Sequence, residues 1–267
     1  MNEKNFEYLK DQIKFTGFGE GMENALKEKI EKGETEFTLN HNVKYGNDTV
    51  SAILNFKKSD QSEMYFFNSF KITLEKEQSK EALSQTFYIN KDNNITAKEA
   101  YNLMEGRSVN KDLKNKDGEL YNAWIKMNFK EEADDKGNFK LNHYHQNYGY
   151  DLEASLGKHP IKELENEKYK GDLLNSLKKG NVQSVTFVID GIDKKQYVEA
   201  NPHFKTVNVY DAGLQRINNR ESKDQKKSES EKESNSKGEK QKNDIDSEPS
   251  QAGEKTKTKR KKQSNSI

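Results

Sequence analysis

Three glycines set the organisation of this chain before any other feature does. ALKEKIEKG ends at Gly33, EAYNLMEG at Gly106 and LLNSLKKG at Gly180, at intervals of 73 and 74 residues. Each closes a run of good helix formers with an aliphatic residue three positions earlier, Ile30, Leu103 and Leu177. Glycine is the residue best suited to end a helix in the left-handed conformation, so the pattern predicts three helix ends.

The segments after each glycine recur as well. An extended segment comes first (ETEFTL, RSVNKDL, NVQSVTFVI), then a turn signal (YGND, NKDG, DGID). Two more segments dense in β-branched and aromatic residues come next: TVSAILNF and EMYFFNSFKITL, ELYNAWIKMNF and NFKLNHYHQNYGY, KKQYVEA and HFKTVNVYD. Such runs separated by short turns predict antiparallel hairpins. LSQTFYIN at 83–90 adds a strand to the first set, and the turn glycines Gly46, Gly118 and Gly191 lie 13, 12 and 11 residues after the capping ones. The expected fold class is α+β, built of repeated helix plus antiparallel β-meander units and followed by a disordered C-terminal tail. The expected units are 1–92, 93–166 and a shorter 167–217, with the tail at 218–267. Any α+β chain closes helices with glycine and hairpins with Asp-Gly, so the class stands with or without true duplication.

The tail is separated by composition. From Asn218 onward the only apolar residues are Ile245, Ala252 and Ile267, too few to offset the entropy of ordering. Charge divides at nearly the same place: residues 216–267 carry 15 Lys or Arg against 10 Asp or Glu, a surplus of five, whereas the rest carries a deficit of four, so the total of +1 hides an acidic body and a basic tail. The absence of cysteine excludes disulfides and thiolate metal sites. No window is long and apolar enough for a membrane span, and MNEKNFEYLKDQ has no signal-like apolar core, so a cytoplasmic protein without membrane contact is expected.

HYHQNYGYD, residues 143–151, concentrates the chemistry. Strand alternation predicts Phe139, Leu141, His143, His145 and Asn147 on one face, and Lys140, Asn142, Tyr144, Gln146, Tyr148 and Tyr150 on the other. Two imidazoles at i and i+2 hold a metal only with further ligands, and His41, His159 and His203 fall at unrelated points, so no metal site is expected. Tyr144, Tyr148 and Tyr150 form a candidate stacking surface for bases or sugars, against the alternative that they are packing residues. Gly149 marks a bulge or strand exit.

GFGEG at 17–21 precedes a helical run, but it lacks GxGxxG or GK[ST] spacing, and Glu20 and Glu23 would repel a phosphate. It reads as a joint leading into a helix. No serine elbow or cysteine nucleophile is present, EEADD at 131–135 reads as a solvated hairpin loop, and Trp124 suits core packing more than a partner-facing anchor. No catalytic residue and no cofactor is therefore expected. The run KTKTKRKK places Lys255, Lys257, Lys259, Arg260, Lys261 and Lys262 together with no acid among them, a candidate nucleic-acid contact that reads charge and not sequence.

The motifs FTGFGEG, YFFNSF, SQTFYIN, KEAYNLMEGRSVNKDL, YNAWIKMNF, HQNYGYDL, SVTF and EANPHFKTVNVYDAG resemble uncharacterised proteins, some containing a domain of unknown function, carried on conjugative transposons and plasmids of Bacteroidetes-type bacteria. The resemblance covers residues 10–215, is strongest from GRSVNKDL to YNAWIKMNF, and transfers no catalytic residue. It implies association with DNA mobilisation or element maintenance. The expected function is that of a non-enzymatic accessory protein of a mobile element, whose acidic body binds a protein partner and whose basic tail contacts nucleic acid. The alternative is a purely protein-binding module.

Overall fold

The computed structural model describes residues 2–77, 79, 81–90 and 93–217. Two helices open the chain, α1 (Glu3–Ile13) and α2 (Glu23–Glu31), joined by a wider turn over Lys14–Phe18. The Asn2 side chain caps α1 by accepting from the Asn5 amide at 3.1 Å, and Leu9 and Ile13 carry its buried face. A four-stranded sheet comes next, in the order β1 (Glu36–Tyr45), β2 (Asp48–Lys58), β3 (Tyr65–Glu75), β4 (Leu83–Tyr88). Helix α3 (Ala97–Met104) leads to a second sheet, β5 (Val109–Lys114), β6 (Leu120–Met127) and β7 (Leu141–His145). Helices α4 (Leu152–Leu156) and α5 (Glu167–Lys178) lead to a third, in which β9 (Ile192–Asn201) lies between β8 (Gln183–Ile189) and β10 (Thr206–Tyr210). All paired strands are antiparallel, so the class is α+β.

The local reasons are those legible in the residues. Gly33, Gly106 and Gly180 close α2, α3 and α5 with φ of 69°, 77° and 79°, the left-handed cap that a side chain would strain. Thr96 and Glu99 form a reciprocal capping box at the start of α3, and Glu99, almost wholly buried, also holds the Lys111 ammonium at 3.0 Å. Asp190 and Gly191 both take positive φ, the two-residue turn whose twist suits the β8–β9 hairpin.

The sheets are stitched to their neighbours. Helix α3 contacts both the first and second sheets, and Ile125 and Met127 of β6 join the core formed by α1, α2, α3 and the first sheet. Trp124, one residue before Ile125, points to the opposite face and is buried with Leu156, Leu177, Val198 and Val207 in a second core. A strand covered on both faces loses polar alternation, which explains the unbroken Ala123-Trp124-Ile125 run. The edge of β4 is held by residues 138 and 139: the Thr86 amide donates to Asn138 Oδ1 at 2.8 Å, and the Phe139 amide donates to Gln85 Oε1 at 2.8 Å.

A polar joint fastens α5 to α3. Asn102, 1% exposed, donates from Nδ2 to the Lys179 carbonyl at 2.7 Å and to Asn181 Oδ1 at 2.9 Å, while its Oδ1 accepts from Arg107 at 2.8 Å. Gly180 sits against this joint so closely that a Cβ there would lie 3.0 Å from Asn102 Cβ, the Ser108 carbonyl oxygen and Val109 Cγ2. Among the described residues no helix is long and apolar enough to cross a membrane.

Candidate functional site

The segment 143–151 does not run on as one strand. Strand β7 ends at His145, a single 3-10 turn covers Gln146–Tyr148, and Gly149 takes a left-handed conformation with φ of 75°. The alternation expected for Tyr148 and Tyr150 is therefore lost, because the strand ends at His145 and not at Gly149, which instead caps the 3-10 turn that replaces it. His143 and His145 do share a face of β7, opposite Ile125 and Ala123. His145 stacks on Tyr121 at 5.2 Å and accepts the Asn147 amide on Nδ1 at 3.1 Å. Among the described residues no group of three or more His, Cys, Asp or Glu is placed to hold a metal.

The three tyrosines nonetheless meet one neighbour, the segment 203–206 that leads from β9 into β10. Tyr144 Oη lies 3.0 Å from His203 Nδ1, Tyr148 Oη donates to the His203 carbonyl at 2.9 Å, and Tyr150 Oη donates to the Thr206 carbonyl at 2.9 Å. Their roles then diverge. Tyr150 turns inward, edge-on to Trp124 at 5.3 Å, and burial pushes its hydroxyl well above the usual tyrosine range. Tyr144 and Tyr148 pack at 5.2 Å, and Tyr144 meets His203 at 5.9 Å, with Phe204 edge-on to His203 at 4.5 Å.

The surface of this group is aromatic and cationic. Phe204 is 67% exposed and Tyr148 38%, and the Lys205 ammonium sits 4.4 Å above the Tyr148 ring. Lys205 adopts φ of 51°, a conformation usually left to glycine or asparagine, which is held here as the cap of the Pro202–Phe204 turn. Because the hydroxyls are engaged within the chain, what the site offers a ligand is ring faces, the Phe204 side chain and one positive charge. That set can stack and make apolar contact.

Sequence alternation groups Tyr144, Tyr148 and Tyr150 here but does not bring in His203, Phe204 and Lys205, since HFKTVNVYD reads as extended. Pro202, which suits the first position of a helical turn, is the local signal that could have found them. Trp124 is a core residue, 6% exposed. The basic run Lys255, Lys257, Lys259, Arg260, Lys261 and Lys262 lies outside the described residues.

A second aromatic and cationic group lies where the β1–β2 hairpin meets α3. The Lys98 ammonium stands 3.9 Å over the Tyr45 ring and 4.5 Å over that of Tyr101, whose hydroxyl donates to Asp48 at 2.9 Å. Here the two rings already meet at 4.6 Å and the chain's own lysine covers them, so the group joins helix to hairpin.

No family model, curated protein or solved structure matches the chain.

Proposed function

We propose that this chain is a binding protein without chemistry of its own, an accessory protein of a mobile element. In this reading the acidic body engages a protein partner through the exposed aromatic group at Tyr148, His203 and Phe204, and the basic tail contacts nucleic acid. One observation carries it. The group lies at the junction of the second and third sheets, its hydroxyls spent on the chain itself, with Tyr148 and Phe204 exposed and Lys205 over one face of the Tyr148 ring. Aromatic side chains with a cation at their edge are the residues that most often anchor interfaces. The repeated-unit reading belongs to the same proposal: three helices closed by left-handed glycines, each leading into an antiparallel meander, support one module written three times, with the aromatic group arising where two copies abut.

The test separates body from tail. Retention of a mixed-sequence DNA duplex is measured at low and high salt for the full chain and for a chain ending at residue 217. Salt-sensitive binding by the full chain that disappears on truncation is the expected result, because lysine contacts to phosphate release counterions. Equal binding by both, or none by either, ends the tail's role. For the body, a partner captured by the truncated chain should be released by Tyr148→Ala with Phe204→Ala, and a partner indifferent to that pair refutes the aromatic site.

A further inference from the structure

Strand β1, Glu36–Tyr45, is an edge of the first sheet and pairs only with β2 among the described residues. Of the five other outer strands, β4, β8 and β10 are treated differently. Residues 138 and 139 bind the edge of β4, the Pro160 carbonyl and Ile161 bind β8, and Arg216 and Ile217 bind β10. A ten-residue edge free of proline and of any register shift is a template for another strand, and proteins that must not pair there usually interrupt it.

The hydrogen-bonding parity of this edge is set at both of its ends. Tyr45 and Asp48 flank a two-residue turn and so exchange bonds with each other, and at the far end the Lys58 amide donates to the Thr35 carbonyl at 2.8 Å. Odd-numbered residues of β1 thus bond to β2. The amides and carbonyls of Glu36, Thr38, Asn40, Asn42 and Lys44 point outward. Their side chains also form the exposed series of the strand, alternating with buried Phe37 and Leu39 and half-buried His41 and Val43.

We infer that β1 pairs with β1 of a second copy of this chain, antiparallel about Asn40, joining the two first sheets into one. Of the antiparallel registers that keep the outward amides facing each other, this one engages all five outward residues. It sets Asn40 opposite Asn40, Thr38 opposite Asn42 and, at both ends, Glu36 opposite Lys44, so the charges of the edge are complementary to themselves. On the inner face it sets Leu39 against His41 and Phe37 against Val43, covering two of the three inward residues of β1 that the monomer leaves half-open. Lys44 has no ion-pair partner among the described residues, whereas Glu36 already holds Lys57 at 3.1 Å across the hairpin and would be shared. The assembly closes at two copies because the pairing is isologous and the far edge of the same sheet is occupied.

The mass of the full chain is measured by light scattering across concentrations up to about 100 µM, a range that captures even modest interfaces. A mass approaching twice the 30.9 kDa of the chain is expected as concentration rises. Asn40→Pro removes an amide that does not bond to β2, so it should give a monomer whose thermal stability matches that of the parent at concentrations where the parent too is monomeric. Glu36→Lys places like charges opposite each other twice and should raise the dissociation constant about tenfold, and adding Lys44→Glu should return it to within about threefold of the parent. The charge-swapped pair decides the matter should the proline variant misfold. A chain monomeric at every concentration, whose edge is then left to a foreign strand or to water, overturns the inference. So does a dimer that survives Asn40→Pro or ignores the charge swap.

Discussion

Alanine at each of the three capping glycines separates backbone strain from packing. Gly33, Gly106 and Gly180 have nearly the same φ, 69°, 77° and 79°, but different surroundings. A Cβ at Gly33 meets nothing within 4 Å, one at Gly106 meets only Phe129 Cε2 at 3.7 Å, and one at Gly180 meets three atoms at 3.0 Å. Holding alanine in the left-handed region costs about 1–2 kcal/mol, partly offset by about 0.4–1 kcal/mol from its stiffer unfolded chain, so Gly33→Ala and Gly106→Ala should each lose about 1 kcal/mol. At Gly180 the same strain is joined by overpacking, typically about 1–3 kcal/mol. The Ser108 carbonyl is backbone and Asn102 Cβ is fixed by its helix, so neither can swing away. Gly180→Ala should therefore lose about 3 kcal/mol, lowering the melting temperature by roughly 6–12 °C against roughly 2–4 °C for the other two. Urea denaturation of the full chain, with the slope compared across the series to confirm a common transition, gives the free energies directly. Equal losses at all three positions would refute the close contact between the end of α5 and the Asn102–Val109 segment.

The same geometry sets three further outcomes. Asn102→Ala removes the partners of the Lys179 carbonyl, Asn181 and Arg107 at a site 1% exposed, and should cost about 2–3 kcal/mol by urea denaturation. Tyr150→Phe strips the Thr206 carbonyl of an inward hydrogen bond and should cost about 1 kcal/mol, whereas Tyr148→Phe, at the exposed edge, should cost well under that; reversed order would contradict the inward placement of Tyr150. Burial first, and then its bond to Asp48, push the Tyr101 hydroxyl up to about 12. Its folded value lies above the unfolded value of about 10, so the associated stability is present below pH 10 and is lost as pH climbs toward 12, by up to about 2–3 kcal/mol for this residue. Tyr101→Phe should flatten part of that alkaline loss, leaving the share due to the other raised tyrosines, among them Tyr210, which burial raises to about 12, and Tyr150. An unchanged alkaline slope in the variant would dismiss Tyr101 as a source.

How far the residues alone reach depends on the range of the forces involved. The ends of α2, α3 and α5 and the hairpin turn at Asp190-Gly191 are decided within a few residues, by which side chains tolerate positive φ, and all are readable in order. Helix α1 is encoded just as locally, by Phe6, Leu9 and Ile13 at helical spacing behind an Asn2 cap, but no glycine or repeated partner marks it. The tyrosines group in the sequence through a strand alternation that does not hold, since a 3-10 turn replaces the strand after His145.

The sequence by itself determined an antiparallel α+β chain, the positions of its helix caps and turns, and the point at which apolar residues run out, because each of these rests on local backbone preference and on the side chains available for burial. Only the tertiary structure decided which faces are covered. It buried Trp124 and Ile125 on opposite sides of one strand, turned Tyr150 in and left Tyr148 out, brought His203, Phe204 and Lys205 beside residues some sixty positions away in the chain, and left β1 an open edge among the described residues. Coverage of this kind depends on packing between segments distant in the chain, and no local pattern encodes which distant surface will arrive.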